Sequence, residues 1–145
     1  MEARGPLREQ VEPKREVSAR ERVRDWLGGY ERAWRSPGTV SLRELFTEDA
    51  SYRAGPYEEP RKGLPAIAEL WEAEREGFDE GFTMSSDIVA TDGDIAVVRV
   101  DVAYDRPKKA EYRDLWLIEF AADGRCRAFE EWPFWPGQAI VAPAP

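Results

Sequence analysis

Apolar and charged positions alternate through the last third of this chain. In residues 97–104 the even positions are Val98, Val100, Val102 and Tyr104, and the odd positions include Arg99 and Asp101. A strand sends successive side chains to opposite faces. One face of this segment is therefore a Val/Tyr wall, and the other carries a guanidinium beside a carboxylate. Either the charged face meets water or it lines a pocket, and the periodicity leaves both open. Four strands are predicted, at about 82–90, 95–105, 111–120 and 125–133. Asp92-Gly93 and Asp123-Gly124 are hairpin turn signals. Residues 106–109 make a longer connection.

Upstream, the apolar period changes from strand-like to helical. Ser18-Ala19-Arg20-Glu21 fits a capping box. Val23, Trp26, Leu27, Tyr30, Ala33 and Trp34 then recur at helical spacing, and Ser36-Pro37-Gly38 stops the helix. A short second helix is expected over 41–46, with Leu42, Leu45 and Phe46 on one side. A short strand follows at 50–53, then a Pro-rich loop over 55–60. Gly63-Leu64-Pro65 opens a third helix whose stripe is Leu64, Ile67, Leu70 and Trp71. Helices segregated from antiparallel strands indicate an α+β fold. A curved sheet wrapped around about three N-terminal helices would make a cone with one open mouth.

At 145 residues the chain fits one domain. The charge-rich segment 1–17, with Pro6 and Pro13, is expected to be a flexible tail. The domain then spans 18–136, and the Ala-Pro-rich residues 137–145 form a second tail. Six Trp and six Phe supply bulky core filling. The net charge of −8 argues against a nucleic-acid partner, which needs a basic footprint. No apolar run is long enough to span a membrane. The segment 1–19 has no secretory apolar stretch, and a single cysteine suits a reducing compartment, so a cytoplasmic location is expected.

The absence of histidine removes every His-based triad, dyad and zinc site. Proton transfer must use Asp, Glu, Tyr, Lys or Cys. No Gly-rich phosphate loop or metal-ligand cluster is seen, so no cofactor and no metal are expected. Cys126 has no basic neighbour to activate it and reads as inert packing. Trp34, Trp71, Trp116, Trp132 and Trp135 could wall a pocket for an apolar ligand, or fill the core. Asp114 shares a face with Tyr112 and Trp116, as a partner or acid beside Arg99 or at the wet end of its strand.

Several local motifs resemble the SnoaL-like (polyketide-cyclase-like) branch of the nuclear transport factor 2-like superfamily. They are Tyr30 to Trp34 in the first helix, Leu45-Phe46-Thr47-Glu48-Asp49-Ala50, and Pro60…Gly63…Ala66-Ile67. The terminal run Phe120…Asp123-Gly124-Arg125…Glu131-Trp132 completes them. The resemblance covers about 20–136. It implies a cone-shaped pocket for a small, largely apolar organic molecule. It also implies a homodimer packed through an outer sheet face carrying Val98, Val100, Val102, Leu115 and Leu117.

Limonene-epoxide-hydrolase-like members carry Arg-x-Asp inside the cone, and Arg99-Val100-Asp101 matches it. Tyr52 matches their water-binding tyrosine and Glu131 their second carboxylate. Ala54 stands where they have Asn. The resemblance thus implies that Glu131 activates water held by Tyr52, Asp101 protonates the opening oxygen and Arg99 bridges both. In ketosteroid-isomerase-like members Tyr30 fits the oxyanion tyrosine, while the base falls at Ala54 and the second acid near Trp116. The expected catalytic set is Tyr52, Arg99, Asp101 and Glu131. The expected substrate-binding set is Tyr30, Trp34, Trp71, Tyr112, Asp114 and Trp116. Three readings follow: an acid–base hydrolase, isomerase or cyclase; a non-catalytic small-molecule binder; or a protein-interaction module.

Overall fold

The computed structural model describes residues 4–75 and 80–139, with side chains from Ser18 onward. The expected C-terminal tail falls mostly outside the described residues. Three helices, α1 (Arg4–Arg35), α2 (Leu42–Leu45) and α3 (Leu64–Glu74), are set against a curved, unclosed sheet. Its strands are β1 (Phe46–Arg53), β2 (Arg61–Lys62), β3 (Gly81–Asp92), β4 (Ile95–Arg106), β5 (Ala110–Phe120) and β6 (Cys126–Phe134), in the order β2-β1-β6-β5-β4-β3. The fold is α+β. All neighbours are antiparallel except β1 and β6, which run parallel. No helix among the described residues is long and apolar enough to cross a membrane.

α1 starts at Arg4 rather than at Ser18, so the expected capping box lies inside the helix and caps nothing. Residues 4–17 are rich in Arg, Glu and other helix formers; Pro6 falls in the first turn, where it is tolerated, while Pro13 lies inside the helix and removes one backbone hydrogen bond. Val23, Trp26, Leu27, Tyr30 and Ala33 are buried, as their spacing requires. The helix ends before Pro37, whose ring disfavours a helical residue ahead of it, and the Ser36 hydroxyl donates to the Arg32 carbonyl at 2.7 Å.

Trp26 is the hub of the core. Its ring meets Tyr30, Phe46, Trp116, Phe120 and Phe129, and its indole N–H donates to the Leu45 carbonyl at 2.8 Å.

Gly63 links β2 to α3 at φ 89° and ψ 155°, a region essentially closed to side chains. Its N–H donates to the Ala50 carbonyl at 2.8 Å, which fixes where α3 begins. Gly63→Ala is expected to destabilise the fold by on the order of 2 kcal/mol. Urea unfolding measures it, and a loss under 0.5 kcal/mol would remove the strain argument.

The faces of β4 are the reverse of the expectation. Ala96, Val98 and Val100 are buried on the inner, concave face, followed by half-buried Val102 and Tyr104. Arg99 and Asp101 are exposed on the outer face. Register fixes this. Val98 pairs with Trp116, Val100 with Asp114 and Val102 with Tyr112, while Arg99 pairs with Leu115 and Asp101 with Arg113. Directly paired residues share a face. The three valines therefore belong to the core and the pocket, not to an outer dimer surface with Leu115 and Leu117.

Candidate active site

The concave face of the sheet and the ends of α1 and α3 enclose a cavity of about 510 Å³. Helix residues Tyr30, Trp34 and Trp71 form one wall. Tyr52 from β1, Val102 and Tyr104 from β4, and Tyr112 and Trp116 from β5 form the other. Four carboxyls also line it: Glu74 at the end of α3, Glu80 just ahead of β3, Asp114 on β5 and Glu131 on β6. Glu131 pairs with Trp116, one step along the same face from Asp114. A second groove, about 560 Å³, lies along α1 and α2, but its titratable lining is the charge set Glu21, Arg22, Asp25, Arg32 and Glu44.

Eight of the ten expected site residues line this cavity: Tyr30, Trp34, Tyr52, Trp71, Tyr112, Asp114, Trp116 and Glu131. Arg99 and Asp101 do not. They stand on the far side of the sheet, in water, so no arginine bridges the carboxyls. Ala54 is at the cavity edge, where it offers only a methyl group.

The polar groups are linked. The Tyr52 hydroxyl donates to Glu131 Oε1 at 3.4 Å, and the Tyr30 and Tyr52 hydroxyls lie 3.3 Å apart. The Trp116 indole N–H donates to Asp114 Oδ2 at 3.2 Å, and a hydrogen bond between the Asp114 and Glu131 carboxyls links the pair.

Burial pushes the Glu131 carboxyl up to about 8, helped by the negative charges of Asp114 and Glu74. Burial also pushes Asp114 up, to about 6, against the stabilising Trp116 N–H. Asp101 reaches the site only as a charge that adds to this rise. Two carboxyls in one apolar site cannot both ionise cheaply. Near neutral pH the pair is therefore biased toward sharing one proton, both carboxyls being lifted by burial and by each other's charge. Tyr30 and Tyr52 are raised well above 10, by burial first and by Glu131 next, and stay neutral donors.

Tyr104 and Glu74 were not among the expected site residues. Tyr104 shares the face of Val98, Val100 and Val102, and burial lifts its hydroxyl to about 12. Glu74 follows Trp71 by one helical turn and lines the same cavity. Cys126 is fully buried and is lifted by that burial to about 12, as its inert reading requires. No group of three or more Cys, Asp or Glu that could hold a metal ion is found among the described residues.

An open α+β cone with a half-buried carboxyl pair in an aromatic cavity is thus the class of protein at hand. The sequence profile of the SnoaL-like domain matches residues 23–129, and the chain belongs to that family. No curated protein matches the chain. Solved structures share the fold. One is the epoxide hydrolase/cyclase-like enzyme SalBIII, with a role in pyran ring formation in the polyether salinomycin (16% identity, TM-score 0.64, covering 82% of this chain and 92% of that one). Another is an NTF-2 like protein of unknown function from Burkholderia xenovorans (16%, 0.62, 87% and 98%). A third is a steroid delta-isomerase from Pseudomonas aeruginosa (23%, 0.57, 82% and 81%). At these identities the likeness is one of fold.

Proposed function

We propose that the protein binds a small, largely apolar organic molecule in the cone and acts on it by carboxyl acid–base catalysis. Hydrolysis, ring closure and proton-shift isomerisation are the reactions open to such a pair. The observation that supports this is the Asp114–Glu131 pair, half-buried among aromatic rings, with both carboxyls lifted by desolvation and by each other. Glu131 donates its proton to the substrate oxygen as a carbon–oxygen bond breaks. Asp114 takes a proton from the attacking water or hydroxyl as the new bond forms. Tyr52 steadies the Glu131 carboxylate left behind by the hydrogen bond it already donates. These roles replace the expectation that Glu131 activates water and Asp101 protonates oxygen. Aromatic walls around one wet, polar corner suit epoxides, lactones and hydroxy-epoxides.

The test is incubation with a panel of such compounds, read by mass spectrometry in 18O-labelled water and by chromatography for products of unchanged mass. Turnover is expected to follow a bell-shaped pH profile with limbs near 6 and 8, since the base must be ionised and the acid protonated. Glu131→Gln and Asp114→Asn are each expected to lower kcat/KM by about 10²-fold or more. Binding of the panel without any conversion would make the cone a binding site rather than an active site.

A further inference from the structure

Trp34 is a partition. Together with Glu80 and Phe82 it lines both the main cavity and a second cavity of about 370 Å³ that also touches Gly38 and Arg75. Trp34 packs against the edge of the core, but a ring bordered by two cavities has fewer close neighbours than a fully buried one. Something further holds it.

That something is Arg75, at the C-terminal end of α3. Its side chain is only 9% exposed. Nη2 donates to the Ala33 carbonyl at 2.8 Å and Nη1 to the Gly38 carbonyl at 2.7 Å. Ala33 immediately precedes Trp34, and its carbonyl, in the last turn of α1, also accepts the Ser36 N–H at 3.2 Å. The guanidinium also lies over the rings of Trp34, at 5.3 Å, and Trp71, at 5.4 Å. Those two indoles meet edge to face at 4.8 Å. One fork-shaped cation thus ties the backbone on each side of Trp34 to α3 and holds the ring itself. A lysine could not reproduce two diverging hydrogen bonds and ring stacking at once.

We propose that Arg75 is a positioning and specificity residue: by holding Trp34 as a wall between two cavities, it limits the size of molecule the main cavity admits. Without that hold the Trp34 ring swings toward the second cavity, and the two spaces join. This inference rests on the reading of the main cavity as a small-molecule site, and the two can fail separately.

The experiment uses the full chain and two fluorescent phenols of different size, 2-naphthol and 1-hydroxypyrene. In Arg75→Met, 2-naphthol is expected to bind roughly tenfold more weakly, the scale of one lost charge-assisted hydrogen bond. The affinity ratio is expected to move roughly tenfold toward the larger 1-hydroxypyrene. A ratio is insensitive to a general loss of stability. Arg75→Lys is expected to fall between wild type and Arg75→Met. Glu72→Gln removes only the exposed ion pair at 3.5 Å and is expected to change neither value.

The second readout is the far-ultraviolet circular dichroism of the coupled indoles, with Trp34→Phe defining the part due to the Trp34–Trp71 pair. Arg75→Met is expected to lose that part. A folded Arg75→Met with both its dichroism and its affinity ratio unchanged overturns the proposal. If Arg75→Met does not fold, Arg75→Lys decides by the same ratio. If the wild type binds neither phenol, the small-molecule reading fails instead, and the dichroism decides whether Arg75 holds Trp34.

Discussion

The protein is expected to melt at a lower temperature at pH 8.5 than at pH 5.5, and Glu131→Gln is expected to remove most of the difference. Burial, reinforced by Asp114 and Glu74, holds the Glu131 carboxyl at about 8 in the folded state. In the unfolded chain the same carboxyl titrates near 4.3. Between those values the folded protein keeps a proton that the unfolded chain has released. Stability therefore falls as pH climbs through this window and levels off above about 8. The full swing from this group is on the order of 3–5 kcal/mol, or roughly 10 °C in melting temperature for a domain of this size. Glutamine still accepts the Tyr52 hydrogen bond through its carbonyl and never ionises. The variant should thus exceed the wild type in stability at high pH. Thermal melts of both proteins across pH 5.5–9 measure this, and identical slopes would show that Glu131 is not buried as a neutral acid.

Trp26→Ala is expected to bring the protein close to the edge of folding. It removes the ring at the centre of five aromatic contacts, at a cost of about 4 kcal/mol. It also strips the Leu45 carbonyl of its indole donor, which adds about 1–3 kcal/mol in a buried setting. Whole domains are stable by roughly 5–15 kcal/mol. Trp26→Phe keeps a ring and loses the donor, so it should show only the smaller part. Urea denaturation of the two variants separates the terms. A Trp26→Ala protein that unfolds within 1 kcal/mol of the wild type would displace Trp26 from the centre of the core.

Much of the fold is legible in the chain because its signals are local. Alternation and the two Asp-Gly pairs mark the last four strands to within two residues at each end. The stripe from Val23 to Ala33 marks the buried face of α1. What alternation cannot do is say which of two faces points inward. Val98/Val100 and Arg99/Asp101 are equally good halves of one strand. Only the register against β5 decides, through partners such as Trp116 and Asp114. The Arg-x-Asp resemblance pointed to the wrong half. Following the valine face one step on, to Tyr104, would have led to the cavity wall. Tyr52 and Glu131 were legible through motif position, but Asp114 became decisive only once its strand was placed beside β6. Arg75 follows an ordinary helix end in the sequence, and its role exists only where α1 and α3 meet.

The parallel seam between β1 and β6 also has a consequence in time. Tyr52 lies directly across that seam from Phe129, two residues before the Glu131 carboxyl it bonds. The strands are joined through the whole intervening chain, so this contact closes one of the longest loops in the fold, and such closures come late because their entropy is lost before contacts repay it. During synthesis β1 waits for β6 to emerge. The strand that joins β1 to the β3–β5 meander also delivers Glu131, so the carboxyl pair is assembled only when this long loop closes.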